Sequence, residues 1–165
     1  MRKDLQLAAV ADGMGGLPHG DDAAQTAIAA LTGQLDRTVP ADVAGWRALL
    51  GTINQEVVTL GQQLSPTYGI GTTLTIVRIA SDRLQFAHVG DSALMRLRNG
   101  QLEQLTCEHT LAREIRSRRA AGFWQPMPAN AAHVLTSCLG LPRLTETDVR
   151  EADLQSGDRL LLCSD

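Results

Sequence analysis

Three aspartates share one local context. Asp12 follows the run LQLAAVA, Asp91 follows LQFAHVG, and Asp165 follows LLLCS. A carboxylate placed just past an apolar strand is held rigidly yet left at the rim of a sheet. Several such strand ends side by side would form a cluster of oxygen ligands. Like charges that close repel, so the cluster needs a cation or shared protons. Histidines and cysteines form no competing set, and oxygen-only ligation suits Mg²⁺ or Mn²⁺ rather than zinc. The alternative is that each Asp is a turn residue or strand terminator. The same context three times over favours a site. Next to Asp12, Gly13, Gly15 and Gly16 let the backbone turn sharply and approach a ligand. No Gly-Lys-Ser/Thr follows, so this is not a P-loop, and the dinucleotide spacing is absent as well. The glycines alone also read as a plain loop.

The elements that must position these residues belong to a globular chain. It has 165 residues, 44% hydrophobic and 20% charged, and a net charge of -3, which excludes whole-chain disorder. The mild acidity argues against nucleic-acid and membrane-surface partners, which need a cationic surplus. Cys107, Cys138 and Cys163 are odd in number and far apart. They suggest neither a disulfide framework nor a zinc knuckle, but small buried side chains in a reducing cytoplasm. No run is long enough to span a bilayer, and a secretory leader is not expected.

Leu5 to Ala11 is expected as a short buried strand. A helix is expected from Gly20-Asp21-Asp22, with Ala24, Ile28, Leu31 and Leu35 on its apolar face. A second helix shows Val43, Trp46, Leu50, Ile53, Val57, Leu60 and Leu64 three and four apart, with Asp42 as its N-cap. From Thr72 the texture turns to β: Thr72 to Ala80, Leu84 to Val89, Ala93 to Arg98 and Gln101 to Leu105. Asn99-Gly100 predicts a hairpin turn, and these runs predict three adjacent antiparallel strands. Thr110 to Ala121 predicts a helix stopped by Gly122. Asp148 to Leu154 and Arg159 to Asp165 predict two more strands, the last a buried one. The sum is an α+β fold with helices packed on antiparallel sheet.

Taken together, these motifs resemble one family. Val10-Ala11-Asp12-Gly13-Met14-Gly15-Gly16 with Gly20-Asp21-Asp22, Gly71-Thr72-Thr73, His88-Val89-Gly90-Asp91-Ser92, Leu105-Thr106-Cys107-Glu108-His109-Thr110, Leu135-Thr136 with Leu139-Gly140, and Gly157-Asp158 through Ser164-Asp165 stand in the order of the PPM-type, or type 2C, metal-dependent serine/threonine phosphatases of bacterial type. Glu108 replaces the family's Asp. The resemblance implies two stacked antiparallel β-sheets flanked by helices, an α-β-β-α sandwich, with residues 1–165 as one partial domain, incomplete at both termini. It also implies two or three Mg²⁺ or Mn²⁺ ions. Asp12 and Asp165 would be catalytic. Asp12 would bridge two ions, Gly13 would offer its carbonyl, and Asp91 and Asp165 would complete the metal set. The reaction implied is hydrolysis of phosphoserine and phosphothreonine by a metal-bridging hydroxide, without a covalent intermediate. Met14 stands where some relatives carry an acidic histidine, so water must supply the leaving group's proton.

The resemblance also sets out departures. The family's first strands carry a phosphate-gripping arginine and an R-x-x-N-x-D motif, and its C-terminal part carries a D-N motif. None of these is in the chain. Leu17 stands where relatives often have His, with His19 near it. Uncovered sheet edges would favour self-association. The partners implied are a phosphorylated Ser/Thr protein and a cognate Ser/Thr kinase. The competing readings are a catalytically inactive phosphatase-like binding or regulatory module and a purely structural α+β domain. Among other residues, His88 is expected to hold the Asp91 loop by hydrogen bonds. His109 and His133 read as structural or surface residues. Arg113, Arg116, Arg118 and Arg119 read as a solvated face or a phosphoprotein dock. Thr72 and Thr73 read as strand residues that can touch a ligand.

Overall fold

The structure, a computed structural model, describes residues 1–15 and 18–164. Gly16, Leu17 and Asp165 therefore lie outside the described residues. After a 3-10 turn at Lys3–Leu5, strand β1 covers Leu7–Val10. Helices α1 (Gly20–Leu35) and α2 (Val43–Leu64) follow, then strands β2 (Leu74–Ala80), β3 (Arg83–Val89), β4 (Ala93–Arg98) and β5 (Gln101–Gln104). Helix α3 (Leu111–Ala120), a 3-10 turn at Ala131–His133, and strands β6 (Asp148–Asp153) and β7 (Arg159–Cys163) complete the order.

The strands form two antiparallel sheets, one ordered β1-β2-β3-β6 and one ordered β5-β4-β7. Three adjacent strands were expected from the β runs, but β3 and β4 do not pair. The chain changes sheet at Gly90-Asp91-Ser92. β3 finds its second neighbour in β6, with His88 opposite Asp148, while β4 takes β5 and β7. The expected Asn99-Gly100 hairpin is present. Asn99 (φ 51°) and Gly100 (φ 78°) are both left-handed, as a turn that matches strand twist requires.

One face of the larger sheet carries α1 and α2. Leu74, Ile76, Ala87 and Val89 join Leu50, Ile53 and Val57 of α2 in one core cluster. Asp42 caps α2, accepting from the Gly45 N–H at 2.8 Å. The buried side of α1 differs from the expected stripe. It is Ala23, Ala27, Leu31 and Leu35, and Ile28 is 37% exposed. The two small alanines let the helix come close to the core, and the larger isoleucine is turned outward.

The second face meets the smaller sheet through Val77, Leu84, Phe86 and Leu94, with Leu160 and Leu162 packed against them. At one end an ionic clasp joins the sheets. Arg96 donates to the Asp153 carbonyl at 2.9 Å, and Arg98 grips Asp153 (2.8 Å) and Asp158 (2.6 Å). That guanidinium holds the Asp158 carboxyl well below the usual carboxylate range. β7 is not the buried strand expected. It lies at the edge of a three-stranded sheet, and Leu161 is 53% exposed on the face turned away from the larger sheet. The cysteines are free, and only Cys138 is fully buried, with its thiol pushed up to about 11 by burial.

The two leucine-rich regions should therefore respond differently to truncation. Ile53→Ala, in the helix-sheet core, is expected to lower unfolding free energy by about 2–5 kcal/mol. Leu161→Ala is expected to change it by less than about 0.5 kcal/mol. Urea unfolding midpoints followed by circular dichroism check the contrast, and equal losses would contradict this partition of the core.

Candidate active site

The sheet topology decides where the chemistry collects. β1 and β3 end, and β2 and β4 begin, at the same end of the sandwich, opposite the Arg98 clasp. β7 arrives there too, with Cys163 paired to Ala93. A cleft of about 390 Å³ opens at this end, lined by Asp12, Gly13, Met14, Thr73, Asp91 and His133 among others. Thus Asp12 and Asp91, 79 positions apart in the chain, face one space. Asp165 lies outside the described residues, so its expected place beside them has no structural account. Among the described residues, no group of three or more His, Cys, Asp or Glu gathers tightly enough to hold an ion.

The backbone carrying Asp12 is clamped on both sides. Its N–H donates to the Thr73 hydroxyl at 3.0 Å, and its carbonyl accepts from the Thr73 N–H (2.9 Å) and the Thr72 hydroxyl (2.9 Å). Thr73 Oγ1 also meets Ser92 Oγ at 2.9 Å, which ties the Asp12 strand end to the turn holding Asp91. The two threonines expected as strand residues are thus the brace between the carboxylate-bearing segments. Gly13 lies against the first turn of α1, where a Cβ would fall 2.2 Å from the Gly20 carbonyl oxygen. Only glycine allows that approach.

The Asp91 turn has a second keeper beside the one expected. His88 interacts with the Gly90 backbone of that turn. Its Nδ1 meets Thr75 Oγ1 across the sheet at 2.8 Å. His109 bonds the turn twice: the Gly90 N–H donates to its Nδ1 at 3.1 Å, and the His109 backbone N–H donates to the Gly90 carbonyl at 2.8 Å. Gly90 (φ 109°) sits so close to Thr73 that a Cβ would come within 2.5 Å of its methyl carbon. The two imidazoles stack with centroids 5.0 Å apart, both fully buried. Burial, then repulsion from His109, brings the His88 pKa down to about 4. Burial likewise lowers that of His109.

Two expectations shift in detail. His133, read as structural or surface, is exposed and lines the cleft, a position that no local sequence signal marks. The arginines of α3 are largely neutralised. Arg113 pairs with Glu146 at 3.0 Å, Arg116 lies 3.6 Å from Glu108 and Arg118 3.6 Å from Glu114, while Arg119 donates to the Gln125 carbonyl.

Comparison with known proteins matches residues 2–165 to the family model described as protein phosphatase 2C. The chain belongs to the protein phosphatase 2C family. It is 32% identical over 169 residues to the serine/threonine phosphatase stp of Listeria monocytogenes serovar 1/2a, covering 99% of this chain and 67% of that protein. It is 37% identical over 166 residues to the serine/threonine protein phosphatase PstP of Mycobacterium tuberculosis, covering 97% of this chain and 31% of that one. Among solved structures, the PstP catalytic domain in complex with two manganese ions superposes with a TM-score of 0.76 at 33% identity, covering 97% of this chain and 67% of that one. The 2C-type architecture is thus present in its sheets and helices. Among the described residues, no helix is long and apolar enough to cross a membrane.

The buried histidine pair gives this 2C-family chain an acid sensitivity of known sign. An unfolded histidine binds its proton near pH 6.5, whereas folded His88 resists protonation down to about 4. Between those values the unfolded state holds more protons, so stability falls as pH drops from about 6.5 toward 4. His88→Gln is expected to make that fall shallower. Urea midpoints of both proteins at half-unit pH steps check it, and parallel pH slopes would contradict it.

Proposed function

We propose that the cleft is the catalytic centre of a phosphoprotein phosphatase that hydrolyses phosphoserine and phosphothreonine with divalent Mg²⁺ or Mn²⁺. The observation that carries the reading is the convergence of Asp12 and Gly13, just past β1, and Asp91, in the turn between β3 and β4, on one cleft. The donors fit hard cations. They are two carboxylates and a main-chain carbonyl, with the imidazole of His133 beside them and no thiolate or lysine among the described lining residues. Asp12, Asp91 and Asp165 would hold the ions through carboxylate oxygens, and Gly13 through its carbonyl. When bound, the ions supply positive charge to the phosphoryl oxygens and lower the pKa of the attacking water.

The chain's own residues do the rest. Thr72 and Thr73 fix the Asp12 backbone, so its carboxylate is aimed before substrate arrives. His109 and the Thr73–Ser92 contact fix the turn that presents Asp91. Met14 brings no proton to the cleft, so the departing alkoxide takes its proton from water. The names of the relatives support a phosphorylated Ser/Thr protein as substrate, with a Ser/Thr kinase as the natural counterpart. Self-association has its best support on the outer face of the smaller sheet, where Leu102 (61%) and Leu161 (53%) are exposed.

Hydrolysis of p-nitrophenyl phosphate and of a phosphothreonine peptide by the chain is expected to require Mn²⁺, stop with EDTA and return on Mn²⁺ addition. Asp12→Asn is expected to lower kcat/KM on the order of a hundredfold or more. Turnover indifferent to EDTA or to Asp12→Asn would overturn the proposal. So would the absence of both turnover and a Mn²⁺-induced rise in Tm.

A further inference from the structure

A second cleft, of about 420 Å³, opens beside the first. Met14 and Leu135 line both, so the partition between them is one side chain thick. Met14 is fixed there: its N–H donates to the Gly71 carbonyl at 2.9 Å, and its thioether lies against the bare Cα face of Gly71, beside Cys138. The far wall is the last turns of α2, with Val58 and Gln62, and the loop carrying Tyr68. Leu141 closes it from the opposite side. That side is anchored to α2 by Asn54, which donates to the Leu141 carbonyl at 2.9 Å and accepts from the Gly140 N–H at 2.8 Å.

None of the described residues lining this second cleft is charged, in contrast to the two carboxylates of the first. An ionised side chain entering it would lose water and meet no partner. An apolar one would bury its surface against Val58, Leu135, Leu141 and the exposed Tyr68 ring. An extended peptide advances about 3.3 Å per residue. A substrate whose phosphate sits between Asp12 and Asp91 therefore brings a side chain one or two positions away across the Met14 partition.

We infer that the second cleft is a specificity subsite taking an uncharged, apolar side chain that flanks the phosphoresidue of the substrate polypeptide. This rests on the phosphatase reading and adds to it a substrate class: phosphorylated segments with an apolar neighbour, not acidic or basic ones. The contacts that select it lie on α2 and on the Tyr68 and Leu141 loops, outside the carboxylate cleft.

The test uses phosphothreonine peptides that differ only in carrying Leu, Lys or Glu at the positions flanking the phosphoresidue. With the Mn²⁺-loaded chain, kcat/KM for the Leu peptides is expected to exceed that for the Lys and Glu peptides by about tenfold or more. Gln62 is exposed at the rim, so Gln62→Glu is expected to raise the Lys-to-Glu ratio and Gln62→Lys to lower it. In parallel, amide NMR shifts on adding each peptide to the metal-free chain are expected to move at Gln62, Tyr68 and Leu141 with Leu and not with Lys. Equal kcat/KM across the peptides, alongside turnover of p-nitrophenyl phosphate, would overturn the subsite and leave the phosphatase intact. Absent turnover of p-nitrophenyl phosphate would strike the phosphatase reading, and the NMR shifts would then decide the subsite by themselves: silence at those three residues overturns it.

Discussion

Two carboxylates placed in one small cleft repel each other, and the backbone that carries them must resist that repulsion. Here the resistance comes from strand ends. Asp12 sits just past β1 and Asp91 between β3 and β4, each at a place where a hydrogen-bonded ladder stops. Thr73 links the two, contacting the Asp12 N–H and Ser92 through the same hydroxyl. A hydroxyl can do this because it donates and accepts at once, which valine, of similar size, cannot do. The sheet switch at Gly90-Asp91-Ser92 thus joins the two layers and places a carboxylate at the joint.

The remaining polar groups behind the cleft follow the same logic. Thr75, His88 and His109 are all at most 1% exposed, in a region where an unpaired donor costs about 1–3 kcal/mol. The His88–Thr75 contact and the Gly90–His109 bond satisfy one ring nitrogen of each histidine, while Nε2 of both is buried without a hydrogen-bond partner. Keeping both imidazoles neutral is part of the arrangement. Stacked at 5.0 Å, two imidazolium rings would repel each other, and burial already disfavours either charge. The turn holding Asp91 is therefore built on neutral rings and leaves the negative charge to the cleft.

Much of this was legible in local sequence. The Asn99-Gly100 turn, the Asp42 cap and the middle of the α2 stripe (Trp46, Leu50, Ile53 and Val57) rest on neighbours within a few positions and stand as expected, whereas Leu64 at the end of that stripe is 40% exposed. The placement of aspartates after apolar runs pointed to the cleft that Asp12 and Asp91 share, although Asp165 is outside the described residues. What escaped depends on long-range partners. The pairing of β3 with β6 joins residues 60 to 70 positions apart, so the β runs alone suggested the wrong neighbour for β4. The part His109 takes beside His88 is of the same kind. Its motif is recognisable, but only the three-dimensional packing brings its ring to Gly90. His133 reaches the cleft from a 3-10 turn that nothing in its neighbours announces. The α1 face slipped for a packing reason: hydropathy favours Ile28 over Ala23 and Ala27, whereas close approach favours the smaller residues.

Met14 shows how one position can link chemistry to recognition. A titratable side chain there would place a proton beside the phosphate. Methionine gives that up and provides instead a flexible apolar wall. Its fit against Gly71 requires the absence of a side chain at that glycine, since a Cβ would fall 2.4 Å from the sulfur. Gly71 is also the residue whose carbonyl receives the Met14 N–H, and it directly precedes Thr72 and Thr73, which clamp Asp12. The wall between the clefts and the brace of the carboxylate are therefore consecutive residues of one segment. A change at Gly71 would disturb both together, so the proposed subsite and the aim of Asp12 are mechanically joined.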